Sequence, residues 1–275
     1  EKAMKEQINI REHLVPLQLL DINKCTTVGK TVEQMENCAI GARMIGKAAA
    51  TMIKWIEKGK TPRIIFDDPE DDKDVFYATV DNFARHLYGE RLIGPAVKSS
   101  EYYVKQEHND PIIVLGHYPN RYKEYLFERG EDDAIFINSF GMAPPWVGDG
   151  YFKGFVNADP RLIIPILFRV YLERVKGEPE PVSQIIKDWK KCGGVAHQAA
   201  HGFETFRQMI EDPDCTMMAT MSGIMTMAKM GGLISHMIDQ KWVQAIAATG
   251  ALIGHGLVEG IGFKHYKYDP QFSDE

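Results

Sequence analysis

Two hydroxyl–glycine pairs, Ser222-Gly223 and Thr249-Gly250, each stand where an apolar, strand-like run gives way to a helical pattern. Small residues at such a turn let backbone N–H groups approach a phosphate, and the helix N-terminus adds a favourable dipole. The same composition also serves a plain tight turn between strand and helix. His255 lies just beyond the second pair, with Glu259 one helical turn further on. An imidazole placed there can relay a proton near neutral pH, although a lone helical histidine more often serves structure. Lys153, set among glycines and aromatics in Gly150-Tyr151-Phe152-Lys153-Gly154, has neighbours that would desolvate it and lower its pKa, as a Schiff-base lysine requires. The competing reading is an ordinary exposed lysine. His197 and His201, with Glu204 beyond them on one helical face, have spacing that suits a metal ion, but Gln198 breaks HExxH, so a solvated helix face is expected. The acidic run Asp67 to Asp72 is expected to be a solvated loop. GxGxxG, GxxxxGK[ST] and GxSxG are all absent, which removes the commonest dinucleotide, phosphate-loop and hydrolase signatures.

The elements that must hold these residues are drawn from 275 residues carrying 32 Lys and Arg against 38 Asp and Glu, a net charge of −6. That balance argues against a general nucleic-acid surface, which needs clustered positive charge to displace counterions. The apolar stretch Leu162 to Leu172 is interrupted by Pro165 and Arg169 and is too short for a membrane span. The four cysteines have no CxxC pair and are too dispersed for a disulfide framework, so a reducing, cytoplasmic setting is expected. The sequence starts at Glu1 without a basic-then-apolar leader, and a targeting peptide is expected to be absent or already removed. Seven of the 13 methionines fall between Met217 and Met237, which reads as adaptable core or subunit interface.

Strands are expected at Arg63–Phe66, Ile112–Gly116, Ala134–Asn138, Cys215–Thr220 and Val243–Ala248. Helices are expected near Val75–Tyr88, Tyr122–Arg129, Arg161–Val175, Met225–Ile238 and Leu252–Gly260. Strand followed by helix, repeated, implies an α/β protein with a parallel sheet covered by helices on both faces. Prolines and charges between Lys176 and Pro181 mark a linker. This divides the chain into a degenerate α/β unit, residues 1–176, and a second unit, residues 182–275. Val28–Glu57 aligns without gaps on Val182–Glu211 at an offset of 154, with Cys38 matching Cys192 and Ala42 matching Ala196, which raises an expectation of internal duplication.

The second unit resembles the deoxyhypusine synthase family. The resemblance rests on Asp214-Cys215-Thr216, Met221-Ser222-Gly223, Leu233 to Ile238, Trp242-Val243, Thr249-Gly250-Ala251 and the closing His265-Tyr266-Lys267-Tyr268. It is especially similar to bacterial members. Ala134 to Asn138 and Asn157 to Pro165 are a weaker echo of the family's carboxyl-terminal end. The resemblance implies a Rossmann-like fold, homo-tetramers or a hetero-oligomer with a paralogue, and transfer of an aminobutyl group from a polyamine through hydride transfer to NAD and an imine on a lysine. It assigns NAD contacts to Ser222, Gly223, Thr249, Gly250 and Ala251. The catalytic candidates are then His255 and Lys153, and Glu259 is the candidate for holding the amine substrate. Where characterised members carry carboxylates after the second turn, this chain has Gly254-His255-Gly256. The rival expectations are a noncatalytic paralogue subunit and a metal-dependent enzyme using His197, His201 and Glu204.

Overall fold

The computed structural model describes residues 14–66, 94–98, 111–116, 134–138 and 154–267. Two parallel sheets flanked by helices make up an α/β architecture of the Rossmann-like kind. Helices α1 (Val28–Glu36) and α2 (Ile40–Glu57) precede the first sheet. Its strands are β1 (Arg63–Phe66), β2 (Gly94–Lys98), β3 (Ile112–Gly116), β4 (Ala134–Asn138) and β5 (Gly154–Asn157), in the order β2-β1-β3-β4-β5. All four pairings are parallel, with Ile113 opposite Ile135 and Phe136 opposite Phe155. The run at β4 is buried at every position, as a strand covered on both faces must be. Ile64, Ile113, Leu115, Ile135, Ile137 and Val156 pack with Met52 and Trp55 of α2 and with helix α3 (Pro160–Lys176). Each such side chain contributes about 1.5–3 kcal/mol of burial free energy.

Helix α3 starts one residue before the expected Arg161: Asp159 caps it by accepting from the Arg161 N–H at 2.9 Å, and Pro160 sits where a missing N–H costs nothing. Gly177, at φ 68°, ends it in the left-handed region. Pro165 lies inside the helix and cannot donate to the Arg161 carbonyl; the Cys192 thiol reaches that oxygen at 3.8 Å. The segment after α3 is tied down on both sides. Arg169 bridges Glu180 and Asp188, while Glu173 accepts from the Gly29 and Glu180 N–H groups and from the Thr27 hydroxyl.

After α3 the chain runs α4 (Ser183–Lys191), α5 (Gly194–Glu211), β6 (Met218–Met221), α6 (Ile224–Met227), α7 (Gly231–Asp239), β7 (Ala245–Ala248) and α8 (Gly250–Gly260). Strands β6 and β7 pair in parallel, Met218 opposite Ala245 and Met221 opposite Ala248. The helix pair α4–α5 repeats α1–α2 in form: 9 and 18 residues in each case. At the same offset, Ile40 and Gly194 both take positive φ, 52° and 57°, and Cys38 and Cys192 each direct Sγ to the carbonyl four residues earlier at 3.5 Å.

Several expectations shift. Strand β6 begins three residues late because Cys215 is held in a turn on the Asp212 carbonyl, and β7 begins late because the Gln244 side chain accepts from the Met217 N–H. The expected helix Met225–Ile238 is two helices, broken at Lys229, whose φ of 68° no helix accommodates. Strand β2, opening Gly94-Pro95, escapes sequence detection because proline is tolerated only at an edge, where this strand lies. The expected helices Val75–Tyr88 and Tyr122–Arg129 and the acidic run Asp67 to Asp72 lie outside the described residues.

Candidate functional site

Parallel pairing of β6 with β7 brings the turns leaving their carboxyl ends side by side, the position at which open α/β sheets bind ligands. The Gly223 N–H donates to the Thr249 hydroxyl at 2.9 Å, and the Thr249 N–H to the Met221 carbonyl at 3.3 Å. A Cβ on Gly223 would lie 2.3 Å from the Ala251 Cβ, so this glycine exists to let the first turn pack onto the start of α8. Gly250 is different: a Cβ there meets nothing within 4 Å. Thr249, occupied with Gly223, makes no side-chain cap, and the first N–H groups of the 11-residue helix α8 face an exposed surface formed by Thr249, Gly250 and Ala251. Ser222 is also exposed beside them. An uncapped helix start under open glycine space suits a phosphate group. Gly223 and Thr249 differ from Ser222, Gly250 and Ala251, because their N–H groups are already used.

Below this surface, α8 carries His255 and Glu259. The His255 ring lies 5.5 Å, centroid to centroid, from that of His265. Glu259 Oε1 accepts from the Lys229 ammonium and, at 2.7 Å, from His265 Nδ1. Lys229 has a side chain only 4% exposed. Burial raises the carboxyl pKa of Glu259, but hydrogen bonds from Lys229 and His265 outweigh it and hold the group below its ordinary value. The carboxylate nominated for a substrate amine is therefore already bound to an ammonium from this chain. Neither Lys229 nor His265 is a site candidate from sequence, where His265 stands only in the closing His265-Tyr266 motif. The available signal was a single cation within a methionine-rich helical run, which burial obliges to find a carboxylate.

Lys153 lies outside the described residues. His197, His201 and Glu204 share helix α5, but their groups are spent elsewhere. Glu204 pairs with Lys190 at 2.6 Å and with Arg207 at 3.4 Å, and His197 Nδ1 sits 3.1 Å from the Lys190 carbonyl. The hydrogen bond from Lys190 lowers the Glu204 pKa. No group of three or more metal-ligating side chains is gathered among the described residues. A cavity of about 470 Å³ borders His197, His201 and Met209 without including Glu204.

The fold and paired turns define a parallel α/β protein in which two hydroxyl–glycine turns lie side by side at the strand ends. Residues 184–275 match the deoxyhypusine synthase family model, about a third of the chain. A probable deoxyhypusine synthase 2 of Methanosarcina acetivorans is 30% identical over 94 residues, covering 34% of this chain and 27% of that protein. A probable deoxyhypusine synthase 2 of Archaeoglobus fulgidus is 25% identical over 84 residues, 30% of this chain and 28% of that one. A deoxyhypusine synthase-like protein of Elusimicrobium minutum is 22% identical over 92 residues, 33% and 24% respectively. The chain thus spans about a quarter of the length of the curated relatives it matches. Those relatives are mostly archaeal, so the similarity is to the family at large and not specifically to bacterial members. No solved structure matches the chain.

Proposed function

We propose that this chain is an NAD-dependent aminoalkyl transferase component acting on a polyamine or another small amine. The observation that carries the reading is the match of residues 184–275 to the deoxyhypusine synthase family model, which contains both turns of the crevice. Gly250 and Ala251 would hold a cofactor phosphate through their N–H groups, with Ser222 and Thr249 beside it and Gly223 keeping the turns in register. NAD, when bound, supplies a hydride acceptor. His255, half-buried beside His265, is placed to move a proton near that surface. Lys153 keeps its nomination as the amine-bearing nucleophile on sequence grounds. The equal lengths of the two helix pairs support reading the chain as an internal duplication. Among the described residues no helix is long and apolar enough to cross a membrane. A cytoplasmic homo-tetramer, or a hetero-oligomer with a paralogue, completes the proposal.

Titration calorimetry with NAD tests it. The intact chain is expected to bind, and Thr249→Trp, which fills the exposed surface at the helix start, to lose binding by at least about tenfold. A screen of amines for NADH formation, with borohydride trapping of an imine, then identifies the substrate. Absence of NAD binding to the full chain refutes the reading. A second reading, a noncatalytic paralogue subunit, is favoured by Glu259, whose carboxylate is engaged by Lys229 and His265. It predicts NAD binding without turnover until a partner subunit is added.

A further inference from the structure

The two helix pairs share one form, yet the long helix of the first is covered and that of the second is not. Helix α2 buries Gly46, Ala48, Ala49, Thr51, Met52 and Trp55, whereas α5 buries only Ala196 and Ala200. At the offset of 154 residues, Ala48, Ala49, Thr51, Met52 and Trp55 correspond to Gly202, Phe203, Thr205, Phe206 and Met209. Ala49 and Trp55 are 0% and 1% exposed, but Phe203 and Met209 are 45% and 37% exposed. Gly202 and Thr205 are exposed too, and Phe206 is half-buried, edge-on to Trp242.

What covers the α2 face is visible in the same molecule. Met52 and Trp55 share one core with Val156 of β5 and with Ile163, Leu167 and Phe168 of α3. Strand β5 comes so close that a Cβ on Gly154 would lie 3.1 Å from the Ala48 Cα. The corresponding place on α5 is open, because a Cβ on Gly202 would meet nothing within 4 Å. The cavity of about 470 Å³ lies there, and Gly202, Thr205, Phe206 and Met209 line it. Four residues matching the buried face of α2 therefore line one groove. The strands show the same contrast. Strand β1, which follows α2, is paired on both sides, by β2 and β3. Strand β6, which follows α5, is paired only by β7 among the described residues, and its Met218 is 62% exposed. Exposed apolar helix faces and free strand edges are surfaces that proteins cover or use for recognition.

We propose that the α5 groove is a docking surface for a strand–helix segment of the β5–α3 kind, presented by another polypeptide. The occupant is a short extended run followed by a helix whose apolar face meets Phe203, Phe206 and Met209. A second copy of this chain is the poorer occupant, because its own β5 and α3 are already buried in the core of the first sheet. The proposal needs only the equivalent form of the two helix pairs and not the NAD chemistry, so it and the NAD titration fail separately.

Fluorescence anisotropy decides it, with the full chain titrated into a labelled peptide of residues 154–176, which carries β5 and α3. The variants are Gly202→Trp, which fills the groove, Met209→Glu, which charges it, and Leu257→Lys, which alters the exposed face of α8. Both groove positions are exposed, and tryptophan is a better helix former than glycine, so the fold is expected to survive, with an unchanged circular dichroism spectrum. The expected result is saturable binding to the wild type that weakens at least about tenfold in Gly202→Trp and in Met209→Glu and is unchanged in Leu257→Lys. The proposal is overturned if the peptide does not saturate the wild-type chain, or if a scrambled peptide of the same composition binds equally well. It is equally overturned if both groove variants bind as wild type does, or if Leu257→Lys weakens binding as much as they do. Loss of self-association in Met209→Glu, read by sedimentation, would make a second copy the occupant and overturn it as well. Should Gly202→Trp fail to fold, Met209→Glu carries the decision.

Discussion

Lys229 concentrates two costs in one residue: a buried ammonium and a left-handed backbone, the latter worth roughly 1–3 kcal/mol for a residue other than glycine. Glu259 and His265 make that arrangement tolerable, and Lys229 and His265 also anchor the chain's early segment through their carbonyls. The Leu20 N–H donates to the Lys229 carbonyl at 3.0 Å and the Leu17 N–H to the His265 carbonyl at 2.8 Å. Removing one partner should therefore be expensive. Glu259→Gln is expected to cost about 3–5 kcal/mol in urea unfolding, because it strands the buried Lys229 charge. Lys229→Met combined with Glu259→Leu should recover much of the loss, since a well-packed apolar pair replaces a buried ion pair at little net cost. The pH dependence follows from the depressed Glu259 pKa. Its stabilising contribution is complete above the ordinary glutamate value of about 4.3 and is lost as pH falls through the lower folded-state value. Melting curves of the wild type should drop across that acid window, and those of the double variant should drop less.

At the scale of elements, the two helix pairs solve the same junction with different residues. The backbone between α1 and α2 needs a left-handed residue at position 40, and so does the backbone between α4 and α5 at position 194. Glycine fills the second without strain, whereas the first has a β-branched isoleucine that is 43% exposed and buries little in return. Ile40→Gly is expected to stabilise the protein by about 1 kcal/mol, visible as a higher urea midpoint with an unchanged slope. Unchanged or lower stability would show that Ile40 contributes packing that outweighs its backbone. The gap-free alignment of Val28–Glu57 with Val182–Glu211 was legible in sequence because helix length and the cysteine turn are local properties. The break at Lys229 was not, because nothing local forbids a lysine in a helix; contact with Glu259, 30 residues away, fixes it.

At the scale of the whole molecule, the two sheets differ in how much apolar surface they bury. The five-stranded sheet is packed, but β6 and β7 form a pair whose residues are half-buried or exposed. Helix α8 and its C-terminal cap residue display Ile253, Leu257 and Ile261, four residues apart, at 74%, 61% and 64% exposure. A two-stranded sheet and an uncovered apolar stripe are poor end states in water. Together they support the proposed oligomer, in which α8 is covered. Sedimentation analysis is expected to show self-association of the wild-type chain and its loss in Ile253→Lys/Leu257→Lys, with the circular dichroism spectrum unchanged. A monomeric wild type would refute this use of the stripe.

The sequence by itself determined the α/β class, three of the five strands of the larger sheet at their observed bounds, the existence of helix α3 and the placement of two glycine turns at strand ends. Those features depend on local propensity, capping and apolar runs, which neighbouring residues dictate. Only the tertiary structure decided which glycine packs and which stays open, that Glu259 is held by Lys229 and His265, and that Glu204 is spent on Lys190. Those outcomes turn on distances between side chains far apart in the chain. Competition for a partner is settled there by proximity, to which residue type is blind.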